Sequence, residues 1–540
     1  MKAALFALAA LALAQSAPVP QPARVSGIVV RTDGKTPIPG ARVVLAYMSS
    51  SPSEDYATLS GPDGRFALQN IIPGRYVLRA TSRGFIESAY GSKRPKRPGA
   101  ELDISAGQTL ENLTIQMTTG SVISGRVYDD TGRLLPDVTV QAIQPRYDPD
   151  GRRTASMVLN TRTNDIGEYR LYWASPGSYY IAATAPEMYP SNPSDRNRVI
   201  DEQYSGAQYV FRPTFYPNVL DEAQASPLAV EAGVEMSGID FVLARQPTVR
   251  VSGRIVNAAG AALAGRSDLA LVTSRDGWVS LLSMSSVSSN SKGEFTFKAV
   301  PAGSYTLFAD GPSGPVRSSG EAKIQVGDRN VADLTVRVEP FVPTRIMGQA
   351  EFESARPVQP LNLSFNSLDP VDRARFATMI NAAKFEVTLL EPATYRLALN
   401  SAEEGYFLRW ARSGLRDVLR DGLDGRTGTP EPLEIMIGNT NSVVEGSVSD
   451  EGRPAVAAQV VLVPSDRRMR IDLFRSAITD QVGRYAFKGV APGDYKLFAW
   501  EDIEPFIYFD PDFLEKHEPA GTPIHVEQNQ SVSANLRVIP

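Results

Sequence analysis

Short runs in which every second residue is apolar recur throughout the chain. One such run follows Gly64, where Phe66 and Leu68 alternate with polar neighbours, and another follows Pro73 and Gly74. A period of two places successive side chains on opposite faces of an extended chain, which is typical of a half-buried β-strand. The pattern therefore predicts two consecutive strands separated by a Pro-Gly turn.

The same motif occurs five times with a fixed internal spacing. In four copies two glycines stand ten residues apart, and each is followed two residues later by an aromatic residue. The fourth copy has Ala383 and Ala393 at the glycine positions but keeps Phe385 and Tyr395. Since Pro-Gly favours a type II turn, the motif predicts a β-hairpin with aromatic and aliphatic residues facing inward. The glycine pairs are Gly64/Gly74, Gly167/Gly177, Gly293/Gly303 and Gly483/Gly493.

A second motif marks the beginning of each copy. It is a glycine within a short alternating segment, as in “VSGIVV”, and it keeps its register with the downstream motif. Each copy also ends in a further pair of alternating segments, so about seven short strands are expected per copy. The glycines that mark the five beginnings are Gly27, Gly125, Gly253, Gly348 and Gly446.

Seven short strands with regular turn signals predict an antiparallel sandwich. The expected fold class is therefore all-β: a tandem array of about five seven-stranded antiparallel β-sandwiches. The second carries an aromatic-rich insertion, the fourth is divergent, and the fifth carries an insertion rich in acidic and aromatic residues. The predicted division is a signal peptide at 1–17 and sandwiches at 23–119, 120–246, 247–340, 341–441 and 442–540.

Composition narrows the cellular setting. The chain has 540 residues, a formal net charge of −5 and no cysteine, so nothing in it points to nucleic acid, a disulfide or a lipoprotein anchor. Lys2 precedes a short apolar run that ends in Ala12-Leu13-Ala14, a small-x-small site typical of signal-peptide cleavage. No later run is long enough for a membrane helix. We therefore expect a soluble, exported protein in the periplasm or outside the cell; an ordinary buried N-terminal helix is the alternative.

The repeated sequence resembles a known family. Segments such as “ISGRVYDDTGRLLPDVTVQAI” from Ile123 and “GRYAFKGVAPGDY” from Gly483 look like the carboxypeptidase regulatory-like domain. The resemblance implies a transthyretin-like sandwich, classed with carbohydrate-binding-like folds, and covers most of the chain, loosely in the fourth copy. Because the matching residues are structural, the resemblance implies a fold rather than an activity. The family's regulatory-like domain brings no catalytic zinc ligands.

Groups that could carry catalysis are few. The only histidines are His517 and His525, and no zinc-protease, serine-hydrolase or nucleotide-binding motif is present. Surface histidines are the favoured interpretation, and a zinc site that includes a neighbouring glutamate is the alternative. Asp63, Asp165 and Asp480 precede motif glycines, where they are expected to bond their own turns rather than hold Ca²⁺. We predict no enzyme activity and no cofactor.

The fifth copy contains the main candidate binding site. Phe498 and Trp500 alternate out of phase with the inward residues of their strand, so they are expected on the outer face. Glu501, Asp502 and Tyr508 follow shortly afterwards. Exposed rings beside carboxylates suit a sugar, because rings stack on its C–H faces while carboxylates accept from its hydroxyls. The favoured interpretation, however, is that the insertion folds back over Phe498 and Trp500 or that a neighbouring domain covers them.

The insertion of the second copy is a further candidate. It contains Tyr209 and Tyr216, which could form a second aromatic platform, although self-packing of a long loop is the alternative. Since the repeated motif serves folding, we expect function in the segments that break the repeat.

The resulting hypothesis is a non-catalytic, exported binding or scaffold protein of the cell envelope. Its alternative is a carbohydrate-binding protein or accessory subunit that recognises polysaccharide. The expected partner is an envelope protein or a glycan, and the oligomeric state is left open. A hydrolase with an unrecognised site is the third hypothesis.

Overall fold

The computed structural model is almost entirely β-structure. It describes residues 21–48, 55–148, 153–185, 209–263, 265–273, 285–311, 317–341, 343–354, 357–368, 375–380, 382–389, 393–400, 404–426, 431–465 and 470–540. The predicted signal peptide, 1–17, lies outside these residues. None of the helices in the described ranges is long and apolar enough to cross a membrane.

The chain divides into two compact units. The first consists of residues up to Arg83 together with Glu87–Met117, and the second of Gly84–Ile86 and Thr118–Pro540. The first unit has one pair of sheets, β4-β1-β8 and β3-β2-β5, with β6 and β7 both paired to β5. Its strands are β1 Ala23–Arg31, β2 Arg42–Tyr47, β3 Tyr56–Leu59, β4 Arg65–Ile71, β5 Gly74–Thr81, β6 Ser88–Ala89, β7 Glu101–Ile104 and β8 Thr109–Met117.

The second unit begins with two further sheet pairs, which we call the second and third sandwiches. The strands of the second are β9 Ser121–Asp129, β10 Thr139–Tyr147, β11 Arg153–Arg162, β12 Glu168–Ala174, β13 Gly177–Thr184, β14 Tyr209–Phe211, β15 Thr214–Phe215, β16 Leu228–Val230, β17 Glu235–Met236 and β18 Phe241–Leu243. Those of the third are β19 Arg245–Val256, β20 Asp268–Thr273, β21 Ser285–Ser288, β22 Glu294–Pro301, β23 Gly303–Asp310, β24 Arg317–Val326, β25 Val331–Arg337 and β26 Glu339–Phe341.

The fourth and fifth sandwiches complete this unit and include two short α-helices, Val418–Asp421 and Pro511–His517. The strands of the fourth are β27 Thr344–Phe352, β28 Leu361–Ser367, β29 Arg375–Ile380, β30 Lys384–Leu389, β31 Thr394–Asn400, β32 Tyr406–Ser413, β33 Arg416–Asp417, β34 Leu423–Asp424 and β35 Leu433–Asn439. Those of the fifth are β36 Val443–Asp450, β37 Arg453–Pro454, β38 Gln459–Pro464, β39 Arg475–Ile478, β40 Arg484–Lys488, β41 Gly493–Trp500, β42 Thr522–Val526, β43 Ser531–Ser533 and β44 Leu536–Arg537.

The predicted all-β fold class is confirmed, and its topology repeats. In each sandwich the first strand pairs antiparallel with the strand after the first motif glycine, as β1 pairs with β4. It also pairs in parallel with a late strand, as β1 does with β8 and β19 does with β25. The sandwiches are therefore antiparallel apart from this parallel pairing. The domain boundaries predicted from the sequence stay a prediction.

The predicted β-hairpin is wrong, because its two strands lie in different sheets. β4 pairs with β1, whereas β5 pairs with β2, so residues 72 and 73 cross from one sheet to the other. Such a crossing is a β-arch. The alternation was interpreted correctly, since Phe66, Leu68, Tyr76 and Leu78 are all buried in one core. Their side chains face each other across the sandwich instead of lying side by side on one sheet.

The tyrosine that follows the arch also closes it. Burial of a phenol requires a hydrogen-bond partner for its hydroxyl. That partner is the carbonyl oxygen four residues earlier, within or just before the turn. The O···O distances are 2.9 Å for Tyr76 and Ile72, 2.6 Å for Tyr179 and Ser175, 2.9 Å for Tyr305 and Pro301, and 2.7 Å for Tyr495 and Ala491.

The glycine at the beginning of four copies is required by a close backbone approach. A Cβ on Gly253 would overlap the carbonyl oxygen of Leu334, where the register of β25 shifts against β19. Gly27, Gly125 and Gly446 lie beneath equivalent carbonyl groups, whereas a Cβ on Gly348 would overlap the ring of Phe385. In the second and fifth copies Tyr169 and Tyr485 donate hydrogen bonds to that same carbonyl oxygen.

Replacing Gly253 with alanine should destabilise the third sandwich by about 3 kcal/mol, because the new methyl group meets backbone that cannot rotate away. Hydrogen exchange measured by mass spectrometry should show faster exchange in β19, β22 and β25. Gly327→Ala is the matched control in the same sandwich, since a Cβ there meets no atom within 4 Å. Equal protection in both variants would contradict the close approach.

The stability of the third sandwich should fall above pH 10. Burial raises the pKa of Tyr305 from 10.0 to about 12, so the folded protein keeps the phenol neutral where the unfolded chain ionises it. The stabilisation is complete below pH 10 and is lost as the pH rises through 12. Tyr305→Phe should cost about 1 kcal/mol at pH 7 through the lost hydrogen bond. The difference in the free energy of unfolding between Tyr305→Phe and the unmodified chain, measured in urea, should shrink toward pH 12. A difference that does not change with pH would contradict the raised pKa of Tyr305.

Candidate functional site

The predicted aromatic site on the fifth sandwich is buried. As expected, Phe498 and Trp500 lie on the face of β41 that points away from the sandwich core, but each is only 1% exposed. The interpretation that the insertion folds back over Phe498 and Trp500 is therefore confirmed, whereas the open aromatic surface is not present. Their rings stack at a centroid distance of 5.2 Å and an interplanar angle of 7°. They form a second small core with side chains from the insertion and from β38.

The insertion after β41 covers these two rings because it forms local structure of its own. Asp510 caps the Pro511–His517 helix by accepting a hydrogen bond from the Asp512 amide at 3.0 Å, and Pro511 occupies its first turn, where proline is favoured. The helix places Phe513 5.6 Å from Trp500, measured between ring centroids. The apolar residues of the insertion are thus removed from water by packing against the outer face of the sheet.

The neighbouring candidates do not surround an open ring face. Tyr508 is 5% exposed and stacks on Phe474, and burial raises its pKa. Glu501 and Asp502 are partly exposed, and the backbone amide of Glu501 donates to the carbonyl oxygen of Ile539 at 3.2 Å. A binding role for this group of residues stays a prediction, and in this conformation its rings are not available for stacking.

The candidates of the second sandwich's insertion are separated. Tyr209 is 44% exposed on β14, with the Arg245 guanidinium 5.2 Å from its ring centroid. Tyr216 is partly buried against the sandwich core. The two tyrosines therefore do not form one platform, and their role in binding stays a prediction.

Both histidines have local partners. His517 Nδ1 lies 2.8 Å from the carbonyl oxygen of Phe513, and His525 Nδ1 lies 2.6 Å from Asp494 Oδ1. Across the described residues no group of three or more histidine, aspartate or glutamate side chains is arranged to hold a metal ion.

The acidic turns bond their own backbone, as predicted for Asp63 and Asp480. Asp480 Oδ1 accepts from the amides of Val482 and Arg484, at 2.9 and 2.8 Å. Asp63 Oδ1 accepts from the Arg65 amide at 3.1 Å. In the second copy, however, Asn164 rather than Asp165 fills this role.

An exposed aromatic pair that the sequence analysis missed lies on the second sandwich. Tyr172 and Trp173 are 51% and 55% exposed near the end of β12. They occupy a bulge, because the pairing of β12 with β9 shifts register between Leu171 and Ala174. Bulges at sheet edges redirect side chains, and here the bulge turns both rings toward solvent. Their centroids are 6.3 Å apart and their planes are inclined by 52°.

Trp173 has a backbone conformation that is unfavourable for a bulky residue. Its φ is 57°, in the left-handed region, which costs about 1 kcal/mol for residues other than glycine. Asn70 and Gly489 occupy the equivalent places after their motif glycines, with φ of 57° and 63°. Both residue types tolerate this region. The sequence feature that could have revealed the pair is “YW” where the other copies with motif glycines have “QN”, “KA” and “KG”.

Charged groups and a glycine accompany the pair. The Arg170 guanidinium carbon lies 5.5 Å from the Tyr172 ring centroid, and Arg170 Nη1 lies 2.9 Å from Glu235 Oε1. Trp173 packs closely against the backbone of Gly120, where an added Cβ would lie 2.9 Å from its Cα and Cδ1 atoms. The indole is therefore supported on one side while more than half of the residue remains open to solvent.

Comparison with known families identifies the first copy. Residues 24–118 match the carboxypeptidase regulatory-like domain, so the predicted family resemblance is confirmed for this segment. A search among curated proteins found no match.

Several solved structures resemble parts of the chain. A streptococcal ancillary pilin is 13% identical with a TM-score of 0.23, covering 59% of this chain and 99% of its own. The Bacillus anthracis TIE protein is 11% identical with a TM-score of 0.16, covering 79% and 76%. The minor pilin GBS52 of Streptococcus agalactiae is 11% identical with a TM-score of 0.23, covering 42% and 97%. Similarity at this level does not support a transfer of function.

Replacing Trp500 with alanine should destabilise the fifth sandwich by about 3–5 kcal/mol, as expected for a large side chain lost from a packed core. The effect should appear as faster hydrogen exchange in β38, β41 and the Pro511–His517 helix. The matched control is Trp173→Ala, which removes an exposed indole and should leave these elements protected. Unchanged exchange in Trp500→Ala would show that the outer cluster is not packed as described.

Proposed function

We propose that this protein is a non-catalytic, exported scaffold of the cell envelope that presents binding surfaces at fixed spacing. The observation that carries the proposal is the construction of the junctions between sandwiches in the second unit. Flexible linkers would let sandwiches move independently, whereas a shared sheet, an ion pair and side-chain hydrogen bonds across the junctions hold them in register. The predicted export signal and the absence of recognised catalytic motifs from the sequence support the same proposal.

The junction between the second and third sandwiches is a shared sheet. β14 belongs to the insertion of the second sandwich, yet it pairs with the first residues of β19, over Tyr209–Phe211 and Arg245–Pro247. Arg245 also forms an ion pair with Asp130 of the second sandwich, with an N···O distance of 2.6 Å. Backbone hydrogen bonds and this ion pair therefore fix the orientation of the third sandwich relative to the second.

The junction between the fourth and fifth sandwiches depends on a buried arginine. Arg470 is 6% exposed, makes two hydrogen bonds to Asp472 at 2.6 and 2.5 Å, and donates a third across the junction to the carbonyl oxygen of Leu408 at 2.9 Å. Beside it, Phe407 of the fourth sandwich packs with Leu473 of the fifth. The Arg470 guanidinium, the Asp472 carboxylate and the Leu408 carbonyl therefore all have hydrogen-bond partners at this junction.

A third contact joins the second and fifth sandwiches. The Tyr147 hydroxyl donates a hydrogen bond to Asp510 Oδ2, the residue that caps the helix of the insertion. Burial, with the hydrogen bond to Asp510 as the next cause, raises the pKa of Tyr147 to about 12. The insertion of the fifth sandwich therefore serves as packing and contact structure, which fits a scaffold better than the open sugar site predicted from its sequence.

The scaffold proposal is tested by binding to isolated cell envelopes of the producing organism. The full chain should co-sediment with them saturably and show no turnover on peptide, ester or glycoside panels. Arg470→Ala removes the partner of the largely buried Asp472 carboxylate and of the Leu408 carbonyl, so it should loosen the junction by about 3 kcal/mol. Envelope binding should weaken about tenfold, because sites at variable spacing gain less from simultaneous contact.

Arg420→Ala is the matched control, since Arg420 pairs with Asp421 on the surface at 74% side-chain exposure and should contribute little. The scaffold proposal would be contradicted by turnover of any substrate or by the absence of envelope binding. Equal binding by the unmodified chain, Arg470→Ala and Arg420→Ala would contradict it as well.

A further inference from the structure

The Tyr172–Trp173 pair has the properties of a ligand-binding platform. At the equivalent position the first and fifth copies have Asn70 and Gly489, which tolerate a left-handed backbone, whereas the second copy has a tryptophan with a φ of 57°. The strained residue gains little from burial, because it is 55% exposed. Strained backbone conformations cluster at active sites and ligand contacts. We propose that this pair binds a neutral hexopyranose glycan by stacking.

The chemistry beside the rings favours a sugar without charge. Arg170 and Glu235 are paired at 2.9 Å, with side chains 46% and 50% exposed, so the local charge balances while donors and acceptors stay accessible. Sugar hydroxyls both donate and accept hydrogen bonds, and they can bridge such a pair without separating it. A phosphorylated or carboxylated ligand would have to compete with Glu235 for the arginine.

The size and shape of the platform also favour a sugar over a protein. An aromatic side chain offers about 150–250 Å² when it is wholly exposed, so two half-exposed rings present about 200 Å². A stable protein partner needs about 800 Å² on each side. One or two pyranose rings cover the smaller area. The 52° inclination between the rings matches a curved oligosaccharide chain better than a flat surface.

The test is calorimetric titration of the full chain with cellohexaose, maltohexaose, chitohexaose and, as the charged comparison, hexagalacturonate. At least one neutral hexasaccharide should bind. Trp173→Asn introduces the residue that the first sandwich has at this position, so it should leave the melting temperature unchanged or raised while weakening binding at least tenfold. Tyr172→Ser should weaken binding similarly without unfolding the sandwich.

Ile166→Ser is the matched control, because Ile166 is an apolar residue of the same sandwich that is 50% exposed and belongs to neither the aromatic pair nor a junction. It should bind as the unmodified chain does. Failure of every neutral sugar to bind, binding of hexagalacturonate alone, or an equal loss of binding in Ile166→Ser would overturn the proposal. The scaffold proposal rests on the junctions and is tested by a separate experiment. If no sugar binds but envelope binding is still weakened by Arg470→Ala, the glycan proposal fails and the scaffold proposal stands.

Discussion

The hydrogen bond from the arch tyrosine to the carbonyl four residues earlier is the interaction on which the repeated architecture depends. Two strands that are adjacent in sequence must enter different sheets, and the residues between them have no ladder partner. A buried phenol in the second strand satisfies one of those carbonyl groups, as Tyr179 does for Ser175, and anchors its own ring in the core. One side chain therefore holds the turn and the packing of the two sheets against each other.

A second constraint is the close backbone approach over the first strand of four sandwiches, in the sheet that contains the strand before the arch. The strand before the arch pairs with the first strand of the sandwich, which a late strand must also join in parallel. Where that late strand bulges, its carbonyl lies above the first strand, and only glycine leaves room, as at Gly125 and Gly446. In those two copies a tyrosine of the motif reaches the same carbonyl oxygen. Glycine and tyrosine thus act together, although they are far apart in sequence.

Alternation along the chain was sufficient to predict the strands and their inward faces, but not their partners. Tyr76 and Leu78 are buried as predicted, yet the Pro-Gly turn before them leads to another sheet, because a hairpin and an arch impose the same local pattern. The same limit applies to Phe498 and Trp500. Their face was predicted correctly, whereas their burial depends on an aperiodic insertion whose packing is non-local.

The repeat constrains only half of its positions, which is why a binding surface can arise within it. Inward residues of the strand before the arch are fixed by the core, whereas the outward residues and the bulge vary freely between copies. The first and fifth copies place residues there that suit a left-handed backbone, Asn70 and Gly489. Trp173 does not, and it takes up this conformation although more than half of the residue is exposed. Under the glycan proposal, a binding surface lies on this outward half of the motif, whereas the sequence placed function in the segments that break the repeat.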